Sequence, residues 1–281
     1  MYWIDRDWLA ANAGRLFHLH GIEELPQETQ GWAAWNAFLA WVPPHIEFYR
    51  LFRDQYSFAV TQAAETDLGE ASHERPMDHL GEHLMLLYGR GQLGLDEDDG
   101  LLRRFLARSN PDIRRHAIGF VGQVLDREST LPQDFVDRYQ SLWEVYWAGP
   151  GRTDAQEKPD ALLFGLWFSS GRFSPQWAVP RLHEFAEVVP IPEPDHGVVN
   201  ELARVASTNV LNALEVLERM VHAGQEGWRV QGWLDPAKTI LELAMRAGGE
   251  ARVRAERLID HLGRRGFTSL GNLLALGDSV N

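Results

Sequence analysis

The sequence predicts an all-α fold, and within that class an α-solenoid of stacked antiparallel helical hairpins. Apolar residues recur three and four positions apart along most of the chain, which is the spacing of one buried helix face. No comparable run alternates apolar and polar residues with the period of two that marks a half-buried strand. The helical segments also follow one another at near-regular spacing with short turns between them, as in repeat proteins.

The first half of the chain shows this pattern helix by helix. A helix is expected from Gln27 to Val42, where Pro43-Pro44 ends it. Another helix is expected to end at Gly89, interpreted as a C′ glycine. The predicted buried stripes are Trp35, Phe38, Leu39 and Val42; Tyr49, Phe52, Tyr56 and Ala59; Met77, Leu80, Leu84 and Leu87; Ile113, Ala117, Phe120 and Val124; and Phe135, Tyr139, Leu142 and Tyr146.

Cap residues mark several helix starts, in both halves of the chain. Asn110-Pro111-Asp112 places a capping Asn before a proline at the first helical position, and Ser174-Pro175 repeats this signature. Leu131-Pro132 and Asp235-Pro236 are predicted to open two further helices. The last stripes are Val210, Leu214, Leu217 and Val221, and then Ala255, Leu258 and Leu262. The prolines of segment 188–192 make it a loop or a sheet edge, so about thirteen helices are expected.

The domain organisation is predicted to be a single helical-repeat array over residues 1–281, with a possible minor break at the 148–158 loop. That loop is the best interior linker because it is rich in glycine and polar residues. Leu106-Ala107-Arg108 recurs as Leu202-Ala203-Arg204, which is faint internal similarity in support of a repeat. The alternative is a non-repeating helical bundle.

Composition excludes several function classes. The chain has 281 residues, no cysteine, and a formal net charge of −13, so disulfides, cysteine–zinc sites and cysteine nucleophiles are excluded. The acidic balance also argues against a protein that mainly binds phosphate backbones. All basic residues are Arg except Lys158 and Lys238, and many arginines alternate with acids on helix faces, which predicts ion pairs between stacked helices.

Neither the start of the sequence nor its apolar runs show a targeting signal. The start has no basic segment followed by an apolar stretch, and the longest apolar runs are far below the roughly 20 residues of a membrane helix. A soluble, cytoplasmic protein without membrane contact is therefore expected. Because the sequence starts inside an apparent helix, it is interpreted as a fragment, or as the C-terminal part of a longer protein.

His79-Leu80-Gly81-Glu82-His83 reads H-x-x-E-H, the order of the inverted zinc-peptidase motif. A catalytic zinc would need a third protein ligand and a base, and no downstream acidic motif stands out as that ligand. Gly81 inside the motif weakens the helix. Because His83 borders the apolar stripe, a packed histidine is the preferred interpretation, with a metal site of His79, Glu82 and His83 as the alternative.

Gly89-Arg90-Gly91-Gln92-Leu93-Gly94 matches G-x-G-x-x-G literally. The dinucleotide fingerprint requires a strand before it and a helix opening within it, whereas an amphipathic helix precedes these glycines. They are therefore interpreted as a helix stop and a turn. No cofactor is predicted.

The acidic run Asp96 to Asp99 resembles the start of a calcium loop. Its glycine falls one place early, and position twelve would be Ala107 rather than Glu. A solvated loop that caps a helix at Leu101 is expected instead.

Tryptophans occur in pairs three to five positions apart: Trp32/Trp35, Trp143/Trp147 and Trp228/Trp233. This spacing is more often found in a core than in a ligand site. Packing between helical layers is therefore predicted, and any exposed tryptophan is the best place to seek a partner surface.

Several short segments together resemble the C-terminal helical-repeat region of large bacterial proteins whose N-terminal parts are NTPase or sirtuin-like effector modules, many of them suspected antiphage defence proteins of the STAND or NACHT type. The segments are Trp35 to Leu39, Leu80 to Gly91, Ile113 to Gly122, Leu142 to Glu144, Phe164 to Phe173 and Ile259 to Phe267. The resemblance implies a HEAT-like solenoid that acts as a sensor or scaffold, with any enzymatic activity outside this chain. The chain departs from those proteins in lacking an effector portion.

Three functions follow from these observations. The leading expectation is a non-catalytic scaffold or sensor for protein–protein interaction, with a phage protein or the NTPase or effector portion of a larger protein as its partner. The second is a zinc-dependent hydrolase using His79, Glu82 and His83. The third is a HEAT-like DNA-binding or repair protein, which would need a basic groove that the interleaved acids leave little room for.

Overall fold

The computed structural model describes residues 8, 11–12, 15–17, 30–65, 77–148, 163–224 and 227–280. All regular structure in these ranges is helical, with no strand among them, which confirms the all-α prediction. The chain divides into two compact units. The first comprises Met1–Val121 and Thr130–Gly151, and the second comprises Gly122–Ser129 and Arg152–Asn281.

The helices follow one another closely along the chain. In order they are α1 (Gln30–Trp41), α2 (Ile46–Leu51), α3 (Arg53–Glu65), α4 (Asp78–Gly89), α5 (Glu97–Arg108), α6 (Pro111–Arg127), α7 (Gln133–Ala148), α8 (Phe164–Ser169), α9 (Pro175–Ala186), α10 (Asp195–Val205), α11 (Val210–Ala223), α12 (Gly227–Ala247) and α13 (Gly249–Arg264). The described residues also include two 3-10 segments, Ala206–Thr208 and Thr268–Val280. Residues 149–158 of the predicted linker lie outside the described residues, and the single array over 1–281 stays a prediction.

An aromatic cluster forms much of the core of the first unit. The ring of Trp35 stacks on Phe38 with centroids 5.3 Å apart and meets Tyr56 edge-on at 5.0 Å. Phe52 packs edge-on against Phe38 at 5.1 Å. Offset and edge-on pairs of this kind stabilise a core beyond the area that they bury, so this cluster holds α1 and α3 together.

The second unit has a regular packing order. Helices that are two apart in sequence lie against each other: α8 contacts α10, which contacts α12, and α9 contacts α11, which contacts α13. Neighbouring helices α11, α12 and α13 also contact one another in sequence order. Each helix after α9 therefore rests both on its predecessor and on the helix before that.

The structure confirms the predicted helix starts at Pro111 and Pro175 and corrects a third one. α6 begins at Pro111, and Asn110 Oδ1 accepts a hydrogen bond from the backbone N–H of Asp112 at 2.9 Å. The predicted start at Asp235-Pro236 is wrong, because Pro236 lies inside α12. The side chains of Val230, Trp233, Ala237, Ile240, Leu241 and Ala244 form a continuous buried stripe through this point. Their packing outweighs the backbone hydrogen bond that a proline removes.

The predicted role of Gly89 at the end of α4 is also corrected. Gly89 is the last helical residue rather than the C′ position, and a Cβ there would lie 2.6 Å from the Phe135 ring. The left-handed residue is Gly91, with a φ of 70°. The N–H of Gln92 then donates to the carbonyl of Leu87 at 2.8 Å, the Schellman arrangement that ends many helices.

The tryptophan prediction is confirmed where the side chains are described. Trp32, Trp35, Trp143, Trp147 and Trp233 are each at most 4% exposed, while the side chain of Trp228 lies outside the described residues. Among the other described tryptophans, Trp8 and Trp41 are exposed, at 53% and 77%, and Trp177 is partly exposed. Within the described ranges, no helix combines the length and apolar character that crossing a bilayer requires.

Candidate functional site

The H-x-x-E-H motif lies on α4, and its histidines have different surroundings. His83 is buried, at 3% exposure. Its Nε2 donates to the carbonyl oxygen of Leu39 at 2.9 Å, and its Nδ1 accepts from the Tyr56 hydroxyl at 2.7 Å. Burial lowers the pKa of His83 to about 4, so the ring is neutral and both nitrogens are engaged within the core.

His79 and Glu82 instead lie at the surface with two residues that the motif does not include. Nδ1 of His79 lies 3.0 Å from Glu82 Oε2, and Nε2 of His116 on α6 lies 2.7 Å from Glu82 Oε1. The other nitrogen of His116 lies 3.4 Å from Asp78 Oδ2. The four side chains form one chain across α4 and α6, in the order Asp78, His116, Glu82, His79.

Within this chain of four polar groups, the two histidines stabilise the charged form of Glu82. Burial alone raises the pKa of Glu82, but hydrogen bonds from His116 and His79 outweigh that effect and hold the pKa below its usual value. Only the imidazolium form of His116 can donate from both nitrogens. Glu82 also orients the ring of His79, as carboxylates do for imidazole bases and metal ligands.

The structure therefore brings His79 and Glu82 together and places His83 in the core. Among the described residues, no group of three or more His, Asp or Glu side chains is placed to hold a metal ion. The zinc-hydrolase alternative would have to use His79 and Glu82 without His83, whose nitrogens bind Leu39 and Tyr56.

The two remaining sequence motifs occupy ordinary helix ends. The first of the G-x-G-x-x-G glycines, Gly89, is the last residue of α4, and Gly91 and Gly94 follow in the turn after it, in agreement with a helix stop. The acidic run does not form a loop that caps a helix at Leu101, because α5 already begins at Glu97 and the run lies mostly inside it. Asp96, just before the helix, pairs with Arg103 at 2.6 Å.

A cleft of about 560 Å³ opens in the second unit between α11 and α13. Its lining residues are Glu218 and His222 from α11, and Glu250, Val253, Arg254, Arg257, Leu258 and His261 from α13. Glu218 faces Arg254 and His222 faces His261. Because these pairs occur in the same order along both helices, α11 and α13 run parallel.

Ion pairs close one end of this cleft. Arg254 lies 2.5 Å from Glu218 and 3.6 Å from Glu250, and it also donates to Glu215. Glu215 in turn contacts His183 on α9 at 2.5 Å. A chain of charged and polar side chains thus crosses α9, α11 and α13, as the alternation of Arg and Glu in the sequence predicts.

Two histidines and an arginine line the other end. The ring centroids of His222 and His261 are 4.7 Å apart, with their planes inclined at 52°. Burial lowers the pKa of His261, and the neighbouring His222, Arg265 and Arg264 lower it further. Arg257 is exposed and makes no hydrogen bond or ion pair with any described residue.

Sequence reasoning missed this cleft. His222 and His261 belong to different helices and are far apart in the chain, so no local spacing links them. The two histidines meet because α11 and α13 run parallel with a particular register. That register depends on the lengths of the segments between the two helices, which no local pattern in the sequence gives.

The outer face of α1 is a separate surface in the first unit. Ala33, Ala37, Ala40 and Trp41 are all exposed there. Their spacing of three and four places them on one side of the helix. No residue of α1 is charged, so this face is apolar in a chain with a net charge of −13.

Comparison with protein-family models, with curated proteins and with solved structures finds no match for this chain.

Proposed function

We propose that this chain is a non-catalytic helical-repeat module that binds a protein partner through the exposed face of α1. The observation that carries the proposal is Trp41, which is 77% exposed at the end of a helix without a charged residue. A large exposed aromatic residue on an apolar surface is typical of interaction sites, where tryptophan often contributes most to binding.

The chemistry of this face defines the kind of partner. Ala33, Ala37 and Ala40 form a shallow ridge that allows close approach, and Trp41 projects beside it as the only large side chain. The absence of charge on α1 gives no attraction for phosphate groups, which require Lys and Arg. A protein with an apolar groove that accepts the indole ring of Trp41 fits this face best.

The repeat architecture is part of the proposal. We infer a HEAT-like stack from the second unit, where helices that are two apart in sequence pack together in both layers. Two polar contacts join this part of the stack: His183 on α9 pairs with Glu215 on α11, and Glu187, just after α9, pairs with Arg219. Such nearest-neighbour packing is characteristic of solenoids, which present extended binding surfaces.

The setting in bacterial antiphage defence comes from the resemblance described above. Residues of the matching segments, among them Trp35, Leu80, Phe164 and Trp167, are buried. They therefore support a shared architecture rather than a shared chemistry. The partner is then proposed to be a phage protein, or the NTPase or effector portion of a larger protein.

The experiment is quantitative affinity capture from infected and uninfected bacterial cells with four baits: the wild-type chain, Trp41→Ala, Ala37→Glu and Ala107→Glu. Ala107 is an exposed residue of α5 in the same unit, so Ala107→Glu adds the same charge away from the α1 face. Circular dichroism and thermal unfolding show that each variant folds.

The proposal expects a protein that wild type and Ala107→Glu retain and that Trp41→Ala and Ala37→Glu lose. Equal recovery on all four baits would contradict it. So would self-association of the purified wild-type chain that Ala37→Glu abolishes, since the occupant of the face would then be a second copy of this chain.

A further inference from the structure

We propose that the cleft between α11 and α13 binds a small oxyanion, the carboxylate or phosphate group of a ligand, between Arg257, His222 and His261. This site lies on other helices than the proposed partner face and does not depend on it. The inference rests on how charge is distributed along the cleft and on which groups remain available.

The carboxylates of the cleft are already engaged. Arg254 holds Glu218 and Glu250 as well as Glu215, and its own charge is satisfied by these three groups. The hydrogen bonds that Arg254 donates to Glu218 raise the pKa of Arg254 above its usual value. This end is closed by internal ion pairs and offers little to a ligand.

The opposite end holds donors without an acceptor. Arg257 makes no hydrogen bond or ion pair with a described residue, and within the described residues the His222 side chain contacts the ring of His261. Arg257 and His261 are four residues apart on α13, so their side chains are neighbours on one face. Arg257 and the two imidazoles can therefore present N–H groups to one anion.

The size and floor of the cleft suggest that the anion belongs to a larger molecule. The volume of about 560 Å³ exceeds what one phosphate or carboxylate fills. Val253 and Leu258 supply apolar surface beside the polar groups. An organic acid, an acidic side chain or a phosphorylated group could thus place its anion at Arg257 and its apolar part against these residues.

Binding should couple to proton uptake. Burial, His222, Arg265 and Arg264 keep the pKa of His261 below its usual value, and only Asp260 acts in the opposite direction. An anion that accepts N–H groups from both rings at their edges would favour the imidazolium form of both histidines. By linkage, protons and the anion then strengthen each other's binding, and the affinity should rise as the pH falls.

The test is calorimetric titration of the full chain with sulfate between pH 5.5 and 8. Sulfate keeps the same charge over this range, so any pH dependence of its affinity comes from protonation of the protein. Chloride at matched ionic strength is the control for screening. The expected result is saturable sulfate binding that tightens as the pH falls. For each imidazole whose pKa the anion raises by one unit, the affinity should increase about tenfold between the high-pH and the low-pH limits.

Variants identify the groups involved. Arg257→Gln is expected to weaken sulfate binding by about tenfold or more, and His222→Gln and His261→Gln should each flatten its pH dependence. Arg246→Gln, on the exposed side of α12, should change neither. All four positions are at least partly exposed, so these variants should fold.

Acetate and inorganic phosphate distinguish the source of the anion by which of them displaces sulfate at lower concentration. Stronger displacement by acetate indicates a carboxylate ligand, and stronger displacement by phosphate indicates a phosphorylated ligand. The proposal is overturned if sulfate behaves like chloride, or if Arg257→Gln binds sulfate as tightly as wild type.

Discussion

Nε2 of His83 on α4 donates a hydrogen bond to the carbonyl oxygen of Leu39 on α1 at 2.9 Å. Nδ1 of the same ring accepts one from the hydroxyl of Tyr56 on α3 at 2.7 Å. Because a carbonyl can only accept, the proton is on Nε2, and the neutral ring satisfies both neighbours. A residue that the H-x-x-E-H order suggests as a metal ligand thus connects three helices.

This connection predicts a loss of stability in acid. The pKa of His83 is about 4 in the folded chain and 6.5 as its ordinary value, so between these values the unfolded chain binds more protons. The free energy of unfolding should therefore fall as the pH drops from 6.5 towards 4, by up to about 3 kcal/mol from this residue. Urea unfolding at intervals across this range measures it.

His83→Gln is the comparison for that measurement. It should be less stable than wild type at pH 7, because the core hydrogen bonds are disturbed, but its stability should change less between pH 6.5 and 4. Parallel pH profiles for the two proteins would show that another group causes the acid sensitivity.

Gly81 lies where α4 crosses its neighbours closely. A Cβ there would lie 2.7 Å from the Cβ of Ala117 and 2.9 Å from the ring of Phe105. Gly81→Ala should therefore destabilise the chain by about 1–3 kcal/mol, although alanine favours helices more than glycine does.

Gly263 on α13 is the matched control, since no atom lies within 4 Å of a Cβ built there. Gly263→Ala should stabilise the chain by about 0.5–1 kcal/mol. Thermal or urea unfolding of both variants gives the comparison, and stabilisation by Gly81→Ala would refute the close packing of α4.

Arg254 is expected to matter more than the more exposed arginines of α13. Its side chain is 28% exposed and bridges α13 to Glu215 and Glu218 on α11. Arg254→Met should lower the free energy of unfolding by about 1–3 kcal/mol, because it leaves partly buried carboxylates without their cation.

Arg264→Met provides the contrast, because Arg264 is 76% exposed and pairs with Asp260 on its own helix. Its effect should stay within about 0.5 kcal/mol. Urea unfolding at low and high salt compares the two variants, and equal losses would mean that the bridge between helices adds no stability.

The zinc content of the purified protein tests the zinc-hydrolase alternative. Since His83 is engaged in the core and the described residues offer no group of three metal ligands, the chain should hold well below one zinc per molecule. Prolonged treatment with a chelator should leave its melting temperature unchanged. Stoichiometric zinc in the wild-type protein that is lost in the His79→Ala variant would instead support the metal site.

Local signals in the sequence predicted most helices and most of the core, although Phe120 and Val124 of a predicted buried stripe are only partly buried. Asn110-Pro111 marked a true helix start, because a cap depends only on neighbouring residues. The helix start predicted at Pro236 was wrong because α12 continues through this proline. A buried stripe extends along the helix on both sides of it. That stripe is stabilised by tertiary contacts, which proline signals alone do not include.

The candidate sites were harder to predict, because they join distant residues. The sequence predicted Glu82 together with His79 and His83; the structure keeps His79 beside Glu82 but adds His116 from α6 in place of His83. The pairing of His222 with His261 needs the register of two parallel helices. The exposure of Trp41 likewise depends on which face of α1 packs inward, and the sequence predicted only that an exposed tryptophan would mark a partner surface.

Site-specific photo-crosslinking tests the central claim most directly. A photoreactive amino acid is placed at position 37 or 41 on the α1 face and, as the control, at position 107 on α5, and the protein is irradiated in living bacterial cells with and without phage. The account predicts one discrete crosslinked protein at positions 37 and 41 and none at position 107. The same products at all three positions, or crosslinks only to a second copy of this chain, would contradict it.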